Sequence, residues 1–195
     1  IQMRTKTFEA PVVLDKAMLV FWQQGYENTS MQNLVDAMGI HRRSIYDTFG
    51  DKHELFIQVL AHYRDQINER FEQVLATHTD LRSRLTAIFE IFIDHPDNQP
   101  AGCLVVNTAA TLNSLEPDIQ TLIQHYLTQE KALLQALLIA GQAELEPSVA
   151  IDLLAASLQS ALIGIRVMAK VNPDSTTLTA IVQQTLQTLP WKEVF

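Results

Sequence analysis

Apolar side chains recur along this chain every three or four residues, with polar and charged side chains between them, from about residue 11 to residue 189. That spacing is the helical period, and no stretch alternates residue by residue as a half-buried strand does. Val13, Leu14, Ala17, Met18 and Phe21 form the first stripe. Pro11 ahead of it suits a first helical turn, and Gly25 ends it. Trp22 and Tyr26 fall at the same spacing and read as packing residues. Met31, Leu34, Val35 and Met38 form a second stripe, opened by Thr29 as N-cap with Gln32 closing a capping box, and stopped by Gly39. After Ile40 at the corner, Ile45 and Phe49 face inward from a third helix.

Asp51 and Glu54 make a second capping box, from which a long helix runs to about Ala76 with Leu55, Phe56, Val59, Leu60, Tyr63, Ile67 and Phe71 inward. Thr79 or Asp80 caps the next, whose apolar positions are Leu81, Leu85, Ile88, Phe89, Phe92 and Ile93. Pro96 and Pro100 impose a loop. A helix follows from Gly102 to near Glu116, another from Pro117 to about Ala140, and another from Pro147 to about Lys170. Asn172-Pro173-Asp174 breaks the chain, and Ser175 or Thr176 starts the last helix, to Leu189. The expected fold class is all-α, with about nine helices. It divides into a three-helix N-terminal domain over residues 1–53 and a helical body over residues 54–195.

The corner between the second and third helices carries the chemistry. The first turn of the third helix holds His41, Arg42, Arg43 and Ser44. Cations there oppose the helix dipole, which favours acids at that end. Arginines so placed expect an anion from outside, such as a DNA phosphate or a guanine edge. A short helix, a glycine turn and a second helix led by such residues form the helix-turn-helix layout, in which the leading residues of the second helix enter the major groove.

Gly25-Tyr26, Thr29-Ser30-Met31, Leu34, Gly39-Ile40, Ser44-Ile45-Tyr46, Phe49, Lys52 and Leu55 together resemble the TetR family of transcriptional repressors. The resemblance is specific over about residues 8–56 and consistent over the remainder. It implies a dimeric, all-helical repressor that binds a double-stranded, palindromic DNA operator and is released by a small-molecule effector. It further implies that Arg42, Arg43 and Ser44, joined by His41, contact bases or nearby phosphates. Tyr46, Thr48 and Lys52 would position the DNA backbone, with Thr29 in the same set. Two residues depart from the family pattern: Val35 stands where alanine is usual, and His41 where serine or threonine is usual. The competing class is an all-α small-molecule-binding protein or enzyme whose N-terminal corner is purely structural.

The formal charge of −8 looks wrong for a DNA binder until it is divided along the chain. Through His53 there are six Lys/Arg and six Asp/Glu, so all the negative excess lies downstream. A near-neutral reading head on an acidic body must gain affinity from local contacts, and the body disfavours non-specific association. Arg4 and Lys6 precede the first helix as a candidate arm near phosphate, or as a solvated tail. One cysteine, Cys103, rules out an intramolecular disulfide and points to a reducing cytoplasm. The chain opens on no signal-peptide pattern, and no apolar run reads as a membrane span, so no membrane partner is expected. The six histidines have no metal-ligand spacing and no partnered nucleophile, so neither catalysis, a cofactor nor a metal is expected.

Two expectations concern the body. Small residues at Ala156, Ser157, Ser160, Ala161 and Gly164 beside Leu154, Leu158, Leu162 and Ile165, with Leu178, Ile181, Val182, Thr185 and Leu186 in the last helix, fit a four-helix interface between two subunits. An ordinary monomer core is the alternative. The effector pocket is expected to be mostly apolar, with Phe89, Phe92, Cys103, Asn107, Tyr126, Gln159 and Arg166 among its contacts. Cys103 has two readings. Near a helix N-terminus its thiolate would be stabilised, as an electrophile or oxidant sensor requires. Flanked by Leu104 and Val105, it would be a small buried hydrophobe.

Overall fold

The computed structural model describes residues 8–94, 99–111 and 115–192. Within them nine α-helices follow in order: α1 (Ala10–Gln24), α2 (Met31–Met38), α3 (Arg42–Phe49), α4 (Lys52–Thr77), α5 (Leu81–Glu90), α6 (Leu104–Ala109), α7 (Pro117–Ala140), α8 (Ile151–Val171) and α9 (Ser175–Gln187). The only extended pairing among the described residues is an isolated antiparallel bridge between Leu145 and Trp191. Arg4 and Lys6, His95 to Asn98, and Leu112 to Ser114 lie outside the described residues.

Helix ends follow the cap chemistry, with corrections of one to about seven residues. The N-cap of α2 is Ser30, not Thr29: the Ser30 hydroxyl accepts from Asn33 N–H at 3.1 Å, and Asn33 Oδ1 accepts from Ser30 N–H at 2.9 Å. Thr29 is excluded because its hydroxyl already donates to the Gly25 carbonyl at 2.7 Å, closing the loop before α2 begins. The Asp51–Glu54 box forms as expected, with Glu54 N–H donating to Asp51 Oδ1 at 2.9 Å and Asp51 N–H to Glu54 at 3.0 Å. Helix α6 ends at Ala109, shorter than the run toward Glu116. Helix α8 begins at Ile151 rather than Pro147. Pro147 and Ser148 form a turn instead, with Val149 N–H donating to the Glu146 carbonyl at 3.3 Å, just after Leu145 pairs with Trp191 and Glu146 N–H donates to the Pro190 carbonyl at 2.9 Å. Helix α9 starts at Ser175, as expected, with Asp174 as its N-cap.

Two compact units result, Ile1–Ile67 and Asn68–Phe195. The sequence places the division at residue 53, but the first four turns of α4 belong with the N-terminal unit. Phe56 packs on Phe21 and Tyr26 with ring centroids 4.8 Å away in each case, and Tyr63 meets Trp22 edge-on at 5.0 Å. Leu34, Ile45, Leu55, Val59 and Leu60 are fully buried, each contributing about 1.5–3 kcal/mol. The second unit is built on α7 against α8, its most extensive helix pair, with α5 against α9. Ile119, Ile123, Leu134 and Leu138 on α7 meet a core that includes Leu158, Leu162 and Ile165 of α8. Among the described residues α8 alone is long and apolar enough, by length and composition, to cross a membrane.

Candidate functional site

The turn between α2 and α3 needs Gly39, whose φ of +69° is the left-handed conformation that costs a side-chain-bearing residue about 1–2 kcal/mol. The chain then re-enters a helix at His41, which has extended backbone angles but makes no side-chain cap bond. Ile45 and Phe49 anchor α3 from one face. His41, Arg42, Arg43 and Tyr46 are exposed on the other, with Ser44 and Thr48 half-buried between.

Neither arginine is folded into the protein. Arg42 donates one N–H to Gln32 Oε1 of α2 at 3.3 Å. Arg43 lies 3.6 Å from Asp47 on its own helix, with side-chain exposures of 91% and 67%, a solvent-screened i,i+4 pair of small worth. Two guanidinium groups thus stand outward at the leading end of α3.

Two residues expected beside them are turned inward. The Lys52 ammonium donates to the carbonyls of Tyr26 at 2.9 Å and Thr29 at 3.0 Å and sits 4.4 Å from the centre of the Tyr26 ring. Thr29 is buried. Both residues therefore brace the α1–α2 loop, and the structure does not group them with the exposed side chains of α3. Gln58 supplies a further brace, donating to the carbonyl of Phe49 at the end of α3 at 2.8 Å. Gly50, between them, leaves no room for a side chain: a Cβ there would lie 1.8 Å from a Glu54 carboxylate oxygen.

In the second unit the structure draws together Phe92, Gln159 and Arg166, and adds a residue the sequence reading missed, Glu130. Arg166 and Glu130 form a buried ion pair, with side-chain exposures of 2% and 4%. The guanidinium lies over the Phe92 ring, 3.8 Å from its centre. Gln159 Nε2 donates to the Leu127 carbonyl at 2.6 Å and approaches Glu130 at 3.4 Å. Glu130 could have been found from spacing, since it continues the buried stripe Ile119, Ile123, Tyr126, Leu134 and Leu137.

Asn107 lies near Gly102, which in turn approaches the Arg166 carbonyl. Its Nδ2 is buried with no hydrogen-bond partner among the described residues. Phe89 is fully buried and Tyr126 nearly so. Cys103 is a free, buried thiol preceding the six-residue α6, in surroundings of the small-hydrophobe kind.

The head is thus a helix-turn-helix unit of the DNA-reading type. Residues 13–59 match the family model described as bacterial regulatory proteins, tetR family, and residues 82–185 match that of the tetracyclin repressor-like C-terminal domain. The HTH-type transcriptional repressor ComR of Escherichia coli is 31% identical over 192 residues, covering 96% of this chain and 91% of ComR. The uncharacterized HTH-type transcriptional regulator YezE of Bacillus subtilis is 30% identical over 191 residues, covering 95% and 98%. A cysteine mutant of the TetR family regulator CifR, solved with 26-base-pair operator DNA, superposes with a TM-score of 0.86 at 29% identity, over 96% of this chain and 100% of that one. The chain belongs to the TetR family of DNA-binding transcriptional regulators. A purely structural N-terminal corner is thereby set aside.

Proposed function

We propose that the protein represses transcription as a cytoplasmic homodimer, placing α3 of each subunit in successive major grooves of a palindromic operator. The observation that carries this reading is the pair of outward guanidinium groups at the start of α3. Arg42, Arg43, Ser44 and His41 contact base edges or adjacent phosphates, and Tyr46 and Thr48 fix the backbone. Thr29 and Lys52 act behind them as supports. Two half-sites about 34–36 Å apart need two heads.

The dimer reading rests on α8 and α9. The outward face of α8 carries Leu153, Ser157, Ser160, Gly164, Val167 and Val171, all exposed and none charged, with Val171 75% exposed. Exposed Thr177, Ala180, Ile181 and Gln184 continue the uncharged surface on α9. A long apolar stripe of this kind marks a surface that a second copy covers. It also accounts for the hydropathy of α8 without a membrane.

A small-molecule effector binds the body and favours the conformation that does not fit the operator, by the difference in its affinity for the two. Phe89, Phe92, Tyr126 and Cys103 supply apolar surface, and Gln159, Arg166 and Asn107 polar contacts. The unspent Asn107 Nδ2 suits an effector bearing a hydrogen-bond acceptor. A gel shift on DNA upstream of the protein's own gene tests the reading. A discrete shifted species, lost in an Arg42→Ala/Arg43→Ala variant, is expected; no discrete species with the wild-type protein would overturn it.

A further inference from the structure

We infer that Gln32 is a positioning residue for operator recognition: it aims the Arg42 guanidinium, and Asp36 fixes which way Gln32 itself points. This rests on the reading of α3 as the DNA-reading helix. A glutamine amide has one accepting and one donating end, and either can turn toward a neighbour. Here Nε2 donates to Asp36 Oδ1 at 2.8 Å, one turn along α2. The carboxylate can only accept, so it takes the NH₂ end and leaves Oε1 toward Arg42, which donates to it at 3.3 Å. The reversed amide would present two donors to a guanidinium that has only donors. Asp36, Gln32 and Arg42 thus form a directional chain across the corner, from α2 to the first residue of α3.

A guanidinium held by one N–H keeps its remaining donors for a base edge, and the restraint selects among the many rotamers of a free arginine. Arg43 has no such brace from α2; its neighbour Asp47 lies on the same helix and is exposed. Arg42 is therefore the arginine that discriminates at one base pair in each half-site, and Arg43 is the more adaptable contact. Gln32 is exposed and contributes nothing to the buried core, so its removal separates aiming from folding.

The test is selection of duplexes from a random-sequence pool by the full-length protein, followed by affinity measurements on the selected duplex and its single-base-pair variants. Arg42→Ala is expected to cut discrimination at one symmetric pair of positions by about 10- to 100-fold. Gln32→Ala should blur the same positions and no others, by about 3- to 10-fold. Asp36→Ala should act in the same direction more weakly, because the amide can then turn. Adding Gln32→Ala to Arg42→Ala should change nothing further. Circular dichroism melting of Gln32→Ala should match that of the wild type. An unchanged selected motif, a loss spread evenly over all positions, or an additive double variant would overturn the inference. If the wild-type protein itself enriches no sequence, the operator reading fails, and this inference with it.

Discussion

The two units use arginine in opposite ways. In the head, Arg42 and Arg43 stand in water at a helix end whose dipole repels them, held only by a neutral amide and an exposed carboxylate. In the body, Arg166 is sealed from solvent between Glu130 and the Phe92 ring. An exposed guanidinium contributes little to stability and remains available to an incoming anion. A buried one would cost several kcal/mol in lost hydration, which the Glu130 carboxylate and the Phe92 ring help to offset. The same residue type is thus left open in one unit, as the proposed DNA contact requires, and ties α7 to α8 in the other.

The contrast breaks most sharply at Arg166. Arg166→Ala leaves Glu130 buried without its cation and should destabilise the body by about 3–5 kcal/mol, read by urea unfolding. Glu130→Leu combined with Arg166→Met should recover most of that loss, because no uncompensated charge remains. If the single and double variants unfold alike, the pair is not what sets the cost.

Lys52 sharpens the comparison within the head. It is a cation spent inward on the Tyr26 and Thr29 carbonyls, unlike its neighbours on α3. Lys52→Met should destabilise the head by about 1–3 kcal/mol while leaving the salt dependence of DNA binding unchanged. A salt slope lower by about one would instead make Lys52 a direct phosphate contact.

Gly164 probes the uncharged face of α8. A Cβ there meets nothing within 4 Å in the single subunit. Gly164→Leu should therefore raise intrinsic helix stability by up to about 1 kcal/mol. The same substitution should drive a dimer toward monomer in sedimentation equilibrium, because it adds bulk where two copies approach closely. An unaltered association constant would move the interface elsewhere.

The smallest expected effect is a pH dependence at two helix caps. The Ser83 hydroxyl beside Asp80 and the Thr177 hydroxyl beside Asp174 hold both carboxyls below the usual aspartate range. A lowered folded-state value means that the stabilisation is present above the ordinary aspartate pKa. It is lost as the pH falls through the lower, folded value. Asp80→Asn should flatten that acid limb of the melting curve slightly, and an unchanged limb would show that the cap carries no pH dependence.

Much of this arrangement was legible from spacing alone. The stripes of α1 to α4 and the Asp51–Glu54 box are local patterns, and local chemistry decides them. The failures arise where a partner outside the local pattern, near or remote along the chain, takes the side chain or backbone. Thr29 looks like an N-cap until the Gly25 carbonyl takes its hydroxyl. Pro147 looks like a helix start until Trp191 pairs with Leu145. Spacing also does not show that Lys52 donates hydrogen bonds to two loop carbonyls more than twenty residues back. Glu130 is a lone acid whose burial shows only when the apolar stripe of α7 is counted through it.

The central claim is that sequence-specific DNA binding resides in the outward guanidinium groups of α3. The direct measurement is a fluorescence anisotropy titration of the operator and of an unrelated duplex with wild-type protein and with Arg42→Ala/Arg43→Ala, alongside their thermal melts. The double variant is expected to match wild-type stability within about 0.5 kcal/mol while its preference for the operator collapses to the non-specific level. A double variant that keeps its operator preference would contradict it.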